Sequence, residues 1–192
     1  MMELDKVFEL YLKYGGNGYI GENITQLEHA SQCAMLAEEY HSSNNNLILA
    51  GFFHDIGHLI VYENKSLETM GNYGVMNHED IGADYLKHNG FNETVCSLVR
   101  NHIKTKRYLI TKNPDYYNNL SGASTKTFEY QGGKLQEQEL IEFEQDSIFP
   151  SHLKLREFDD KAKSEDTSLL AKINEMDHLE YLKKFTTTTT TN

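Results

Sequence analysis

Only two cysteines, two prolines and no tryptophan occur among the 192 residues of this chain. Cys33 and Cys96 cannot build a disulfide framework, so reduced thiols are expected. So little proline leaves helices free to run uninterrupted. Basic residues are scarce as well: 18 Lys and Arg against 29 Asp and Glu give a net charge of −11. That excludes a general binder of nucleic acid or of anionic membranes, since both need basic surfaces. No apolar run approaches the roughly 20 residues of a membrane-spanning helix. The start, Met1-Met2-Glu3-Leu4-Asp5, is acidic where a secretory leader would be basic. These absences lead us to expect a cytoplasmic protein with no evident protein partner, long enough to bury a real core in one domain.

What is present is helical periodicity. Leu4 to Tyr14 reads as a first helix, ended by Gly15-Gly16-Asn17-Gly18. A second runs from about Glu22 to Tyr40, with His29, Cys33, Leu36 and Tyr40 along one stripe. Leu47 to Asp55 is almost wholly apolar and reads as the central buried helix. Glu63 to Val75 is polar and glycine-spotted, the expected long loop. His78 to Asn89 is a fourth helix with Gly90 after it, and Asn92 caps a fifth whose Val95, Leu98, Val99 and His102 share a face. Further on, Pro114 interrupts a loop and Ser121 or Ser124 caps a short helix. Gln136 to Phe143, His152 to Lys163 and Ser168 to Phe185 are helical candidates. The fold class is all-α: a domain over residues 1–185, then a disordered threonine-rich tail over 186–192.

Nine histidines are many for this length, and their placement separates them. His29, His54 and His102 fall on apolar helix faces, and His78 opens a helix. Singly, each would more often be a hydrogen-bonded core histidine. Together the spacing decides. His29 to His54 is 25 residues, Asp55 to His78 is 23, and His78 to His102 is 24. Each interval is about one helical hairpin, so successive helices can bring one ligand each to a common point. The adjacent His54-Asp55, in Gly51-Phe52-Phe53-His54-Asp55-Ile56-Gly57-His58, suits a bridged pair of metals, because one carboxylate can span two cations about 3.5–4 Å apart. Asp159 completes the set, with Asp160 as its competitor. Mixed imidazole and carboxylate donors suit iron, manganese or zinc alike. His41, His88, His152 and His178 lie near polar segments and are expected at the surface.

A charge argument points to an anionic ligand. Arg100, Lys104, Lys106, Arg107 and Lys112 follow one another with no acidic residue between them, directly around His102. Lys106 is one helical turn beyond His102, and Arg156 is one turn before Asp159, so both can face the metal cavity. The plainer reading is a solvated helix end whose cations complement the dipole. Gly16-Asn17-Gly18-Tyr19-Ile20-Gly21 formally matches a dinucleotide fingerprint. A helix rather than a strand precedes it, so that reading fails. A flexible loop carrying Tyr19 over the metals, able to act as a lid, is the better account.

The ordered pattern His29, His54-Asp55, His78, His102, Asp159 resembles the dinuclear ligand set of the HD superfamily, from about Tyr19 to Lys161. Tyr19-Ile20-Gly21-Glu22, Gln26-Leu27-Glu28-His29, Asn77-His78-Glu79, Lys106-Arg107-Tyr108-Leu109, Tyr130-Gln131-Gly132-Gly133 and Arg156-Glu157-Phe158-Asp159 resemble its mixed-valence diiron oxygenases acting on organophosphonates. The resemblance implies two iron ions per chain, one held by His29, His54, Asp55 and Asp159, the other by Asp55, His78 and His102. It implies that Tyr19 fills an open iron position until substrate arrives, and that Glu22 receives the substrate's amine end. It adds His58 and Ser124 to Lys106 and Arg156 as phosphonate contacts. The implied reaction is O2-dependent cleavage or oxidation of a small 1-hydroxyalkylphosphonate bearing an amino or trimethylammonio group, such as 2-amino-1-hydroxyethylphosphonate to glycine and phosphate. A metal-dependent phosphohydrolase using the same ligands is the alternative, and a catalytically silent binding module the third reading.

Overall fold

Helices account for nearly all the regular structure of residues 2–186, the part described by this computed structural model. In chain order they are α1 (Leu4–Tyr14), α2 (Gln26–His41), α3 (Asn45–Phe53), α4 (Gly57–Ile60), α5 (His78–His88) and α6 (Glu93–Lys112). Then follow α7 (Pro114–Asn118), α8 (Gly122–Tyr130), α9 (Glu137–Glu144), α10 (Phe149–Lys161), α11 (Thr167–Asn174) and α12 (His178–Lys183). A 3₁₀ turn, Gly71–Tyr73, interrupts the long loop before α5. Two isolated bridges, Gly18 to Thr25 and Thr69 to Val75, are the only extended pairing among the described residues. The expected threonine-rich tail lies outside them, apart from Thr186.

The short, apolar α3 forms the centre. Leu47, Ile48, Leu49, Phe52 and Phe53 are all buried there, as an all-round apolar helix must be. It packs against α2, α6 and α10, while α5 lies on α6 and α4. Four elements of this bundle therefore surround one point at the C-terminal end of α3. A smaller core of Tyr108, Leu135 and Phe143 anchors α9 to α6. None of the helices is long and apolar enough to cross a membrane.

The element ends depart from expectation in instructive ways. α2 begins at Gln26 rather than Glu22, because Thr25 and Glu28 form a reciprocal capping box. α3 stops at Phe53, so His54 and Asp55 sit at a break before α4 instead of inside the helix. α10 starts earlier, at Phe149, with Pro150 in its first turn, and Pro114 likewise opens a helix. The segment expected as one helix from Ser168 to Phe185 is two, the second recapped by Asp177. His88 is at the surface and His41 is half-buried, but His152 and His178 are buried. His152 turns its Nε2 to Asp146 at 3.1 Å, and His178 packs its ring against Phe8 and Phe52.

Candidate metal centre

Four imidazoles meet at the break after α3. His29 comes from α2, His54 from the end of α3, His78 from the first residue of α5 and His102 from the middle of α6. All are buried, as are Asp55 and Asp159. Gly57 permits the approach of α5, since a Cβ there would collide with the backbone carbonyl of His78. The structure thus brings together all six residues expected as ligands.

Their tautomers follow from their outer partners. Nδ1 of His29 faces Ala162 O at 2.8 Å, that of His54 faces Gly51 O at 2.8 Å, that of His78 faces Val75 O at 3.3 Å, and that of His102 faces Val99 O at 2.7 Å. A carbonyl oxygen only accepts, so each Nδ1–H donates, and in the neutral ring the lone pair is on Nε2. Those lone pairs face one another in two pairs: His29 to His54 at 3.2 Å and His78 to His102 at 3.1 Å. Two lone pairs at that distance repel unless a cation sits beside them. Asp55 lies between the pairs, with Oδ2 3.8 and 3.4 Å from the first pair and Oδ1 3.4 Å from both nitrogens of the second. Asp159 Oδ1 joins only the first pair, at 3.5 and 3.8 Å. This donor set fits two metal ions bridged by one carboxylate, with His29, His54, Asp55 and Asp159 about one and Asp55, His78 and His102 about the other.

The charges agree. Burial would disfavour charge on Asp55, yet His54, with His102 and His78 beside it, holds its carboxyl well below the usual carboxylate range. Burial also opposes charge on Asp159, and Arg156, His29 and His54 together hold its carboxyl well below the usual range. Arg156 donates from Nη1 to Asp159 Oδ2 at 2.7 Å, from Nη2 to Asp160, and from Nε to the Tyr116 hydroxyl at 2.8 Å. Tyr116 in turn donates to Asp160 at 2.5 Å. Asp160 is therefore a brace for Arg156 rather than a ligand. Tyr116 carries no sequence signal that would have found it.

A cavity of about 460 Å³ opens beside the cluster, lined by Asp55, His78, His102 and Asp159 and also by Tyr19, His58, Lys106, Ser124 and Arg156. His58 stacks on His78 with ring centres 3.9 Å apart. Its Nδ1 accepts from the Val75 amide at 3.0 Å, so the neutral ring carries its proton on Nε2. It is close enough to Asp55 and His78 to be considered a ligand, but it offers a donor where the other four offer lone pairs. Burial, then His78, keep its pKa well below that of an ordinary histidine.

Lys106 is buried and has no carboxylate partner among the described residues. Its acceptors are neutral: Ser124 O at 3.4 Å, Thr127 Oγ1 at 3.1 Å and Gln131 Oε1. Burial, with Arg156 adding to it, pushes its pKa down to about 7. The other members of the basic run do not share this cavity. Arg100 pairs with Asp80 and Asp84, Arg107 donates to Gly133 O and Gly132 O, and Lys112 pairs with Glu144. Lys104 lies over the Phe143 ring. Successive residues of α6 point in directions about 100° apart, so only one of the five can look inward.

Tyr19 lies flat on His29, with ring centres 3.9 Å apart, and its phenol lies beside Asp55. Burial, then Asp55 and Asp159, raise its pKa well above the usual value. The loop carrying it is tied down, with Tyr19 N donating to Ile24 O at 2.7 Å and Glu22 N to Tyr19 O at 3.2 Å. Glu22 is not among the cavity-lining residues; its carboxylate lies 3.5 Å from Lys163.

Comparison with known proteins agrees with this architecture. The HD domain family matches residues 26–182. An uncharacterized protein of Acanthamoeba polyphaga mimivirus is 47% identical over 163 residues, spanning 85% of this chain and 74% of its own. A hydroxymethylphosphonate dioxygenase of Gimesia maris is 38% identical over 157 residues, 82% of this chain and 76% of that one. A glycine-betaine-forming 1-hydroxy-2-(trimethylamino)ethylphosphonate dioxygenase of Leisingera caerulea is 31% identical over 157 residues, 82% of this chain and 78% of its own. The chain belongs to the HD-domain superfamily and, within it, to the family that contains these two dioxygenases.

Proposed function

We propose that this chain is an O2-dependent oxidoreductase that cleaves or oxidises a small 1-hydroxyalkylphosphonate. The observation that carries this reading is Lys106: a buried ammonium without a carboxylate, facing the cavity beside the metal ligands. Such a group is poorly solvated alone and is well matched by a phosphonate oxygen. Arg156 and the Nε2–H of His58 lie on the same cavity, and Ser124 lines it too. Together they supply a charge-assisted grip for an anionic head group. The names of the two dioxygenases support the same substrate class.

Two iron ions held by His29, His54, Asp55 and Asp159, and by Asp55, His78 and His102, would supply the redox chemistry. The protein's part is positioning. Tyr19, beside Asp55 and stacked on His29, would cover the His29 and His54 side of the cluster until substrate takes its place. Arg156 holds Asp159 in orientation while Tyr116 and Asp160 hold Arg156.

Oxygen uptake by iron-loaded protein across hydroxyphosphonates and phosphate esters tests the reading. Uptake with the hydroxyphosphonates alone is expected. Phosphate release from esters without uptake would replace the proposal with hydrolysis.

A further inference from the structure

His78 differs from the other three imidazoles on its outer side. The Nδ1 atoms of His29, His54 and His102 lie 2.8, 2.8 and 2.7 Å from backbone carbonyls, whereas that of His78 is 3.3 Å from Val75 O. A second acceptor stands beside it: Glu79 Oε2 is 3.4 Å from His78 Nδ1. The carboxylates near the other three rings all face their inner nitrogen, Nε2. The local chain explains the arrangement. Asn77, at φ 55°, turns the backbone into α5, so His78 and Glu79 are the first two residues of that helix. An acidic side chain there commonly serves the free amides and the helix dipole. Oε2 of Glu79 does not, because it is buried and accepts from none of them. Arg100 is taken by Asp80 and Asp84 of the same helix, and His78 is the one ion-pair neighbour of Glu79 among the described residues. A buried carboxylate oxygen without a donor is unfavourable, and the proton within its reach is that on His78 Nδ1.

The two halves of the centre are also unequal. His29 and His54 have Asp159 beside them as well as the shared Asp55, while His78 and His102 have Asp55 alone on their inner side. A metal on the second pair therefore meets less negative charge. A carboxylate behind a ligating imidazole fixes the ring and raises its basicity. Glu79 can thus deliver through the His78 ring part of what Asp159 delivers directly.

We propose that Glu79 is a positioning residue for the second metal, accepting a hydrogen bond from His78 Nδ1–H and making His78 the strongest donor of the four imidazoles. The inference rests on the two-metal reading of the centre and not on the substrate. It is tested on the iron-loaded full chain by anaerobic challenge with increasing amounts of a ferrous chelator, counting the iron retained at each step. Glu79→Gln keeps the shape of the side chain and removes its charge. One of its two ions should be held about 10- to 100-fold more weakly, and the other as in the wild type. The iron at the weakened site should also be reduced at a higher potential, since a poorer donor favours the ferrous ion. In a His102→Ala chain, which has lost a ligand of the second site, adding Glu79→Gln should leave retention of the first ion unchanged. Two ions held as tightly as in the wild type would overturn the proposal. So would an equal loss of both, because a general weakening of the bundle would then account for it. An unmoved potential would overturn donation through the charge of Glu79, and a further loss in the His102→Ala chain would overturn its assignment to His78. Wild type holding a single ion would remove the two-metal reading, and this inference with it.

Discussion

Lys106 is a residue whose burial weighs against stability while it faces the cavity. A buried ammonium among neutral acceptors is disfavoured, which is why its pKa falls from 10.5 to about 7. The sign follows: above 10.5 the group is neutral folded or unfolded, and below 7 it is charged in both states. Between these values the unfolded chain holds the extra proton, so the strain is full at low pH and relieved as pH rises through the window. Lys106→Met should therefore make the metal-free protein more stable, on the order of a few kcal/mol at pH 7 and below. The gain should shrink towards pH 10, as denaturant titrations of both proteins would register. The same variant should bind phosphonate roughly 10- to 150-fold more weakly, the loss of one charge-assisted hydrogen bond. At this scale the clustering of the six residues is legible because their residue types and hairpin spacing are a pattern. The inward turn of Lys106 alone among five cations was not, since it depends on the rotation of α6. The buried positions of His152 and His178 were hidden likewise, their partners being set by packing.

Among the elements, the break after α3 and the turn before α2 do the positioning. Helix caps at Asn92 and Ser121 could be read from sequence. The break between Phe53 and Gly57 could not, because the apolar run continues through it. Its consequence is that α5 can approach end-on, with His78 over Gly57. Gly57→Ala should push His78 away and leave the His29 and His54 side intact. Metal analysis is expected to fall towards one ion per chain, and an unchanged content of two would refute this account. The turn carrying Tyr19, which the sequence suggests as a flexible lid, is closed by hydrogen bonds to Ile24 and within the turn. Tyr19→Phe removes the phenol from Asp55 without removing a ligand. The variant should keep its iron yet be oxidised by air in the absence of substrate, faster than wild type. Iron spectra recorded after exposure to air would reveal it.

For the molecule as a whole, the centre joins helices that the apolar core also packs on one another. α2, α3, α5, α6 and α10 each send a donor to one point, spanning His29 to Asp159. Without a cation, the facing Nε2 lone pairs and the Asp55 and Asp159 carboxylates oppose each other in a buried space. Protonation is the only other remedy; burial opposes it at His54, and Asp55, Cys33 and Asp159 together raise that pKa well above the ordinary value. Metal binding is therefore coupled to folding of the whole bundle. A metal held at a thousandfold excess over its dissociation constant adds about 4 kcal/mol. In a chain of this size each kcal/mol moves the thermal midpoint by roughly 2–4 °C. Chelation should accordingly lower the midpoint by about 10 °C, and readdition of iron should restore it. Asp55→Asn, which weakens the shared bridge, should melt near the chelated value whether or not metal is present. A variant still stabilised by iron as strongly as wild type would show that the two sites do not depend on one carboxylate, and that the bundle is held by its apolar core alone.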